Sequence, residues 1–229
     1  MATQAHFRPA LFRFLRDLRK NNDREWFKAN RERYEQDLKG PALDFISDFE
    51  KPLHGISAHF LADPRPVGGS LFRIHRDTRF SADKTPYKTQ TGIQFRHRLG
   101  KDAHAPCFYL HLGPKEVFVG AGIWHPDTAG ARLIRQAIVE DPKRWKRVTG
   151  AKRFRERFRL GGDSLKRPPR EHDADHPLVE DLKRKDFIAI TELSEKDVTS
   201  PGALKTVADR CRAGGPFVHF LCDALGAPF

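Results

Sequence analysis

The spacing of hydrophobic positions changes along the chain and divides it into three parts. In residues 9–20, Leu11, Phe14, Leu15 and Leu18 fall at helical spacing, and Pro9 suits a first turn. Asn21-Asn22 ends that helix. Asn22, with Glu25 three residues on, reads as a capping box opening a second helix to about Leu38. Trp26, Phe27, Asn30 and Tyr34 recur on one side of it. Gly40-Pro41 is expected to break the chain before a third helix to about Lys51, whose apolar stripe is Leu43, Ile46, Phe49 and Leu53.

After a loop rich in Pro and Gly, the period becomes two. In Leu71–Asp77, Phe72 and Ile74 alternate with Arg73, His75 and Asp77, the pattern of a half-buried strand. Residues 89–96 alternate again, with Thr91, Ile93 and Phe95 against Gln90, Gln94 and Arg96. Cys107–Leu112 and Val117–Ile123 predict a hairpin around Gly113-Pro114-Lys115. Short loops join these strands without a crossover helix, so the sheet is expected to be antiparallel.

Helical spacing then returns. Asp127 or Thr128 caps a helix to about Glu140, and Asp141-Pro142 opens a short one through Trp145. Ala151–Phe158 reads as helical, residues 161–177 as a polar loop, and Phe187–Ile190 as a fifth strand. Ser200-Pro201 starts a helix to about Arg212, and Gly214-Gly215-Pro216 separates it from a last helix, Phe217–Leu225. The expected fold class is α+β: an antiparallel sheet of about five strands packed against helices from both terminal regions. One domain spans residues 1–229, with a helical lead-in (9–53), a sheet (70–124) and a helical C-terminal part (127–229).

Composition narrows this further. The 229 residues are 38% hydrophobic and 31% charged, as in a water-soluble globular protein. No stretch approaches the ~20 apolar residues of a membrane span. The first residues lack an apolar signal core, and the three cysteines form no Cys-x-x-Cys pair. A cytoplasmic protein without a disulfide framework is expected. The net charge of +12 is localised, because Lys143–Arg170 holds twelve basic and two acidic residues, +10 of the total. Such a segment attracts nucleic acid or other polyanions, with Arg153, Arg155 and Arg157 at its centre. A solvated helical face is the plainer reading of the same charge, and no aromatic platform accompanies it.

The densest chemistry lies elsewhere, in Phe72–Tyr87. If the strand alternates, Arg73, His75 and Asp77 share a face away from the covering helices, where Gln90, Gln94, Tyr109, His111 and Trp124 join them. That face would suit a small anionic ligand bearing a phosphate or carboxylate. Arg73, Arg76, Arg79 and Lys84 would hold the anion. His75 or Asp77 would orient them or exchange protons, and Tyr87 would donate a hydrogen bond. If the protein is an enzyme, this points to proton transfer or hydrolysis. The competing reading is a salt-bridged turn with a purely structural role.

Other motifs add little. His172, Asp173, Asp175 and His176 form a loop without the His-Glu-x-x-His spacing that places two ligands on one helix face, so no metal is expected there. His104, His111 and His125 fall on different elements or at opposite ends of a hairpin, and a structural or surface role is expected of each. No nucleophile elbow, P-loop or dinucleotide fingerprint is present, and no cofactor is expected. Gly120-Ala121-Gly122 inside a strand marks a bulge or a close approach of backbone or ligand.

The run Arg73-x-x-Arg76-Asp77-x-Arg79-Phe80, followed by Asp83-Lys84-x-x-Tyr87, resembles the signature of a bacterial family with some fungal relatives, known as a domain of unknown function. The Asn22/Glu25-Trp26-Phe27/Asn30/Tyr34 helix, Tyr109-x-His111-Leu112 and Phe118–Trp124 resemble its other blocks. The resemblance implies a single compact domain and supplies no activity and no catalytic roles.

Overall fold

The computed structural model describes residues 5–100 and 105–229. Four helical segments come first: α1 (Pro9–Lys20), α2 (Arg24–Ala29), α3 (Arg31–Tyr34) and α4 (Gly40–His54), with a π-helical turn at Glu35–Lys39. Then come β1 (Thr91–Arg96), β2 (Cys107–Gly113), β3 (Glu116–Ile123), α5 (Thr128–Glu140), α6 (Pro142–Gly150) and α7 (Lys152–Arg155). The chain ends with β4 (Arg159–Gly161), α8 (Val179–Leu182), β5 (Phe187–Leu193), α9 (Glu195–Thr199) and α10 (Ala203–Ala224). The fold is α+β. Its five-stranded sheet has the order β1-β2-β3-β5-β4 with antiparallel neighbours throughout. No described helix is long and apolar enough to cross a membrane.

One sheet face carries the core. Ile93, Phe95, Phe108, Leu110, Val119, Ala121 and Ala189 alternate inward and are buried beneath α4 and α10. Phe49 of α4 stacks on Phe95 with centroids 4.5 Å apart. α10 packs close to the sheet at Gly214, where a Cβ would lie 2.9 Å from the Cβ of Ala121. This contact explains why Gly214-Gly215-Pro216 does not divide two helices, as its composition suggested. Gly214 is small so that one continuous helix can lie against the sheet. Gly40-Pro41 does not break the chain either. Proline lacks an N–H and crowds the preceding turn, and the widened π-helical turn at Glu35–Lys39 accommodates it.

The expected strand at Leu71–Asp77 is corrected by the structure. Only an isolated bridge, Leu71 to Ile93, ties it to β1, through Phe72 N–H to Gly92 O (2.9 Å) and Gln94 N–H to Ser70 O (2.8 Å). Beyond Phe72 the chain leaves β1. His75 bridges Tyr87 instead, with Arg76 N–H donating to Pro86 O (2.9 Å) and Lys88 N–H to Ile74 O (2.8 Å). Leu71 and Ile74, three apart, are the buried pair, whereas Phe72 is only partly covered. The strand that completes the sheet in its place is β4, within the basic segment. It is three residues long, too short to show a period. The sheet thus draws strands from beyond residues 70–124.

The second helix is capped by Asp23, whose carboxylate accepts from Trp26 N–H at 2.8 Å. Asn22, the expected cap, serves a different purpose. Its Nδ2 donates to Tyr87 O (2.9 Å) and its Oδ1 accepts from Tyr87 N–H (3.0 Å). Further on, Asp127 and Asp141 do cap α5 and α6.

Candidate functional site

The sheet face opposite the core is built from three cross-strand rows. Gly92, His111, Phe118 and Glu192 form one, and Gln94, Tyr109, Gly120 and Ile190 the next. Arg96, Cys107, Gly122 and Ile188 form the third. A pocket of about 330 Å³ lies over these rows, walled by Phe72, Tyr109, Phe118, Trp124, Ile188 and Ile190. Its lining is mainly apolar, with Gln94, Cys107, Tyr109 and His111 as polar points, as is common for small-molecule sites.

Glycine makes the floor. A Cβ built on Gly120 would come no closer than 3.6 Å to any neighbour, the nearest being Tyr109 Cβ. Backbone geometry does not require glycine there, since its φ is not positive. The missing side chain leaves space. At Gly92 the reason differs, because a Cβ would lie 2.2 Å from Tyr109 Oη. That glycine lets the phenol lie flat over β1.

The polar groups on the face interact. Tyr109 Oη is 3.2 Å from His111 Nδ1, and the imidazole stacks on Phe118 at 4.6 Å and 4°. Burial pushes the Tyr109 phenol well above its ordinary range, helped by Cys107 and Glu116, so it stays protonated. Burial lowers the His111 pKa against the opposing pull of Glu116. His111 Nε2 is buried and has no hydrogen-bond partner among the described residues; Glu116 Oε2 lies 3.9 Å away. Burial also pushes the Cys107 thiol up to about 11, partly offset by a hydrogen bond with Gln94.

Of the residues picked from sequence, Tyr109, His111 and Trp124 meet in this pocket, together with Gln94. Arg73, His75, Arg76, Asp77, Arg79, Lys84 and Tyr87 are not among its lining residues. Arg79 is chelated by Asp77, with bonds of 3.0 and 2.7 Å. Arg76 binds both Asp83 and Thr85. Lys84 Nζ donates to Thr78 O at 2.9 Å. Tyr87 is buried, its ring stacked on Phe27 at 4.1 Å and 17°, with exposed His75 at 5.2 Å. Arg76, Asp83, Tyr87 and Lys88, with Arg19 and Asn22, border a separate polar groove. Phe80 is 95% exposed at the tip of this loop.

Two contributors escaped the sequence reading. Phe72 faces the pocket rather than the helices, because it pairs with Gly92 and takes that residue's side of the sheet. Lys88 Nζ lies 5.5 Å from the Phe72 ring centroid. Its pKa is lowered by burial first and by Arg73 second, so two cations are near one another. Among the described residues, no carboxylate is within ion-pair distance of either. No pattern flags Lys88. The glycine inside the Phe118–Ile123 run was the available signal for the pocket.

Away from this face, Arg153 and Arg155 are exposed and Arg157 is half-buried. Lys152, Arg155 and Arg159 border a shallow groove. Asp173, Asp175 and His176 bond within a local turn, and no group of three or more His, Cys, Asp or Glu among the described residues is arranged to hold a metal ion. His125 packs on Trp124 at 4.1 Å, with Nδ1 2.7 Å from buried Asp186. His104 lies outside the described residues.

Residues 10–220 match the family described as Conserved hypothetical protein (DUF2461), and the chain belongs to that family. It matches no curated protein.

Proposed function

We propose that the open sheet face binds a small, flat molecule with an acidic group. Its apolar body lies on the Gly120 floor between Phe72, Trp124 and Ile190. Its phosphate or carboxylate reaches Arg73 and Lys88 beyond the Phe72 edge. One observation supports the reading: an aromatic-walled pocket over a glycine where a Cβ would fit at ordinary contact distance, bordered through Phe72 by two neighbouring cations with no acidic partner among the described residues. Neighbouring like charges repel, and an anion relieves that repulsion. The arginines of the Arg76–Lys84 turn keep the Phe72 wall in place, and Arg73 contacts the ligand.

Binding of 2-naphthoate, read by calorimetry, tests this. The expected result is saturable binding that weakens at least roughly tenfold in Gly120→Leu, which fills the floor, and in Arg73→Ala/Lys88→Ala. Equal affinity in wild type and Gly120→Leu would sink the proposal.

A second reading has its own support in the exposed Arg153 and Arg155 beside the groove of Lys152 and Arg159. In it the basic segment binds nucleic acid or another polyanion. Strongly salt-dependent binding to single-stranded DNA, abolished by Arg153→Glu/Arg155→Glu, is its expected signature. No retention on heparin at moderate salt would remove it.

A further inference from the structure

The contact between Tyr109 and His111 sets the hydrogen-bond polarity of the pocket. Neutral imidazole carries one proton, on either ring nitrogen. The Glu116 carboxylate, 3.9 Å from Nε2, favours the proton on that nitrogen. Nδ1 is then an acceptor. Tyr109 Oη, 3.2 Å away, retains its proton and must donate it there. The flat stack of His111 on Phe118 holds the ring in this orientation. Gly92 fixes the other side, since any Cβ there would displace the phenol. The phenol's single proton is therefore committed to His111, and its free lone pairs are what it offers to the partly open pocket.

We infer that the ligand of this pocket brings a hydrogen-bond donor to Tyr109 Oη, so that its class is a hydroxylated or N–H-bearing aromatic acid. The inference rests on the pocket proposed above and specifies its ligand. The body would stack among Phe72, Tyr109 and Trp124, the acid would face Arg73 and Lys88, and an O–H or N–H would point at the phenol. A ring that offers only acceptors to Oη would meet lone pair against lone pair. A site built to hydrogen-bond one group discriminates more sharply than an apolar wall does.

The test compares 2-naphthoate with the set of monohydroxy-2-naphthoates on wild type and Tyr109→Phe. At least one hydroxylated isomer should bind wild type roughly tenfold more tightly than the parent acid. That advantage should vanish in Tyr109→Phe, which keeps the ring over Gly92 and removes only the hydroxyl. Nitrogen-15 NMR of His111 should show the Nε2–H tautomer. If 2-naphthoate binds and Gly120→Leu blocks it, yet no isomer gains, only this inference falls. It also falls if the gain survives in Tyr109→Phe or if His111 carries its proton on Nδ1. If none of these acids binds the folded protein, the pocket proposal falls and takes this inference with it.

Discussion

Asn22 and Tyr87 exchange two hydrogen bonds: Asn22 Nδ2 donates to the Tyr87 carbonyl at 2.9 Å, and the Tyr87 N–H donates to Asn22 Oδ1 at 3.0 Å. A side-chain amide here pairs with a backbone unit as a neighbouring strand would. It fastens the end of the Phe72–Tyr87 loop to the turn between α1 and α2, and the Tyr87 ring stacks on Phe27 of α2.

Asn22→Ala should therefore cost about 1–3 kcal/mol, because two part-buried backbone groups of Tyr87 lose their partners. Urea denaturation gives the number. Asn22→Asp should be nearly as harmful, since a carboxylate keeps the acceptor but faces the Tyr87 carbonyl without a donor. A loss below ~0.5 kcal/mol for both variants would show that the tether is incidental.

Acid should loosen the loop before the core. Asp77 sits near pKa 2 because the Arg79 side chain and backbone N–H bind it. Asp83 also sits near 2, through the Thr85 N–H first and Arg76 second. Both values lie below the ordinary 3.8. Depressed carboxyls stabilise the folded loop above that ordinary value, and the contribution disappears as pH falls towards 2. Carboxyl titration by NMR should find both groups low, and Arg79→Ala should raise Asp77 while sparing Asp83. An unmoved Asp77 would refute the pairing. Because these pairs are exposed, the effect on global stability should be small.

Gly214→Val should behave differently from Gly120→Leu. At Gly214 the new side chain meets Ala121 and Phe158 in the core, at 2.9 and 3.3 Å from its Cβ. Overpacking of this kind costs about 1–3 kcal/mol. Gly120→Leu enters the pocket above the sheet, its Cβ no closer than 3.6 Å to Tyr109, and should leave the melting temperature nearly unchanged. Thermal unfolding of the two variants decides, and a large loss at Gly120 would mean that its floor is not empty.

The cysteines should be unreactive in the native state. Cys107, Cys211 and Cys222 are buried and unpaired. Burial raises all three thiols, Cys107 to about 11 and Cys222 to about 12. Thiolate is the reactive form, so Ellman's reagent at pH 8 should label them only after denaturant is added. Rapid labelling of one thiol in native protein would contradict the buried placement.

Local pattern alone determined much of this molecule. The helical stripes of α1, α4 and α5, the Asp127 and Asp141 caps and the β2–β3 hairpin follow from spacing and turn chemistry, which act over a few residues. The parity of β1 and β2 put Gln94, Tyr109 and His111 on one face for the same reason. Tertiary structure decided the rest. Phe72–Asp77 alternates like a strand, yet only its first residues find a partner edge, because the remainder pairs with Pro86–Lys88. Gly40-Pro41 and Gly214-Gly215-Pro216 resemble breaks, yet a widened turn and a close helix–sheet contact absorb them. The cations that looked like a binding cluster mostly bind their own loop, whereas Lys88 approaches Arg73 only in the folded chain. Those outcomes depend on which distant groups share a surface. Short-range periodicity carries no information about that.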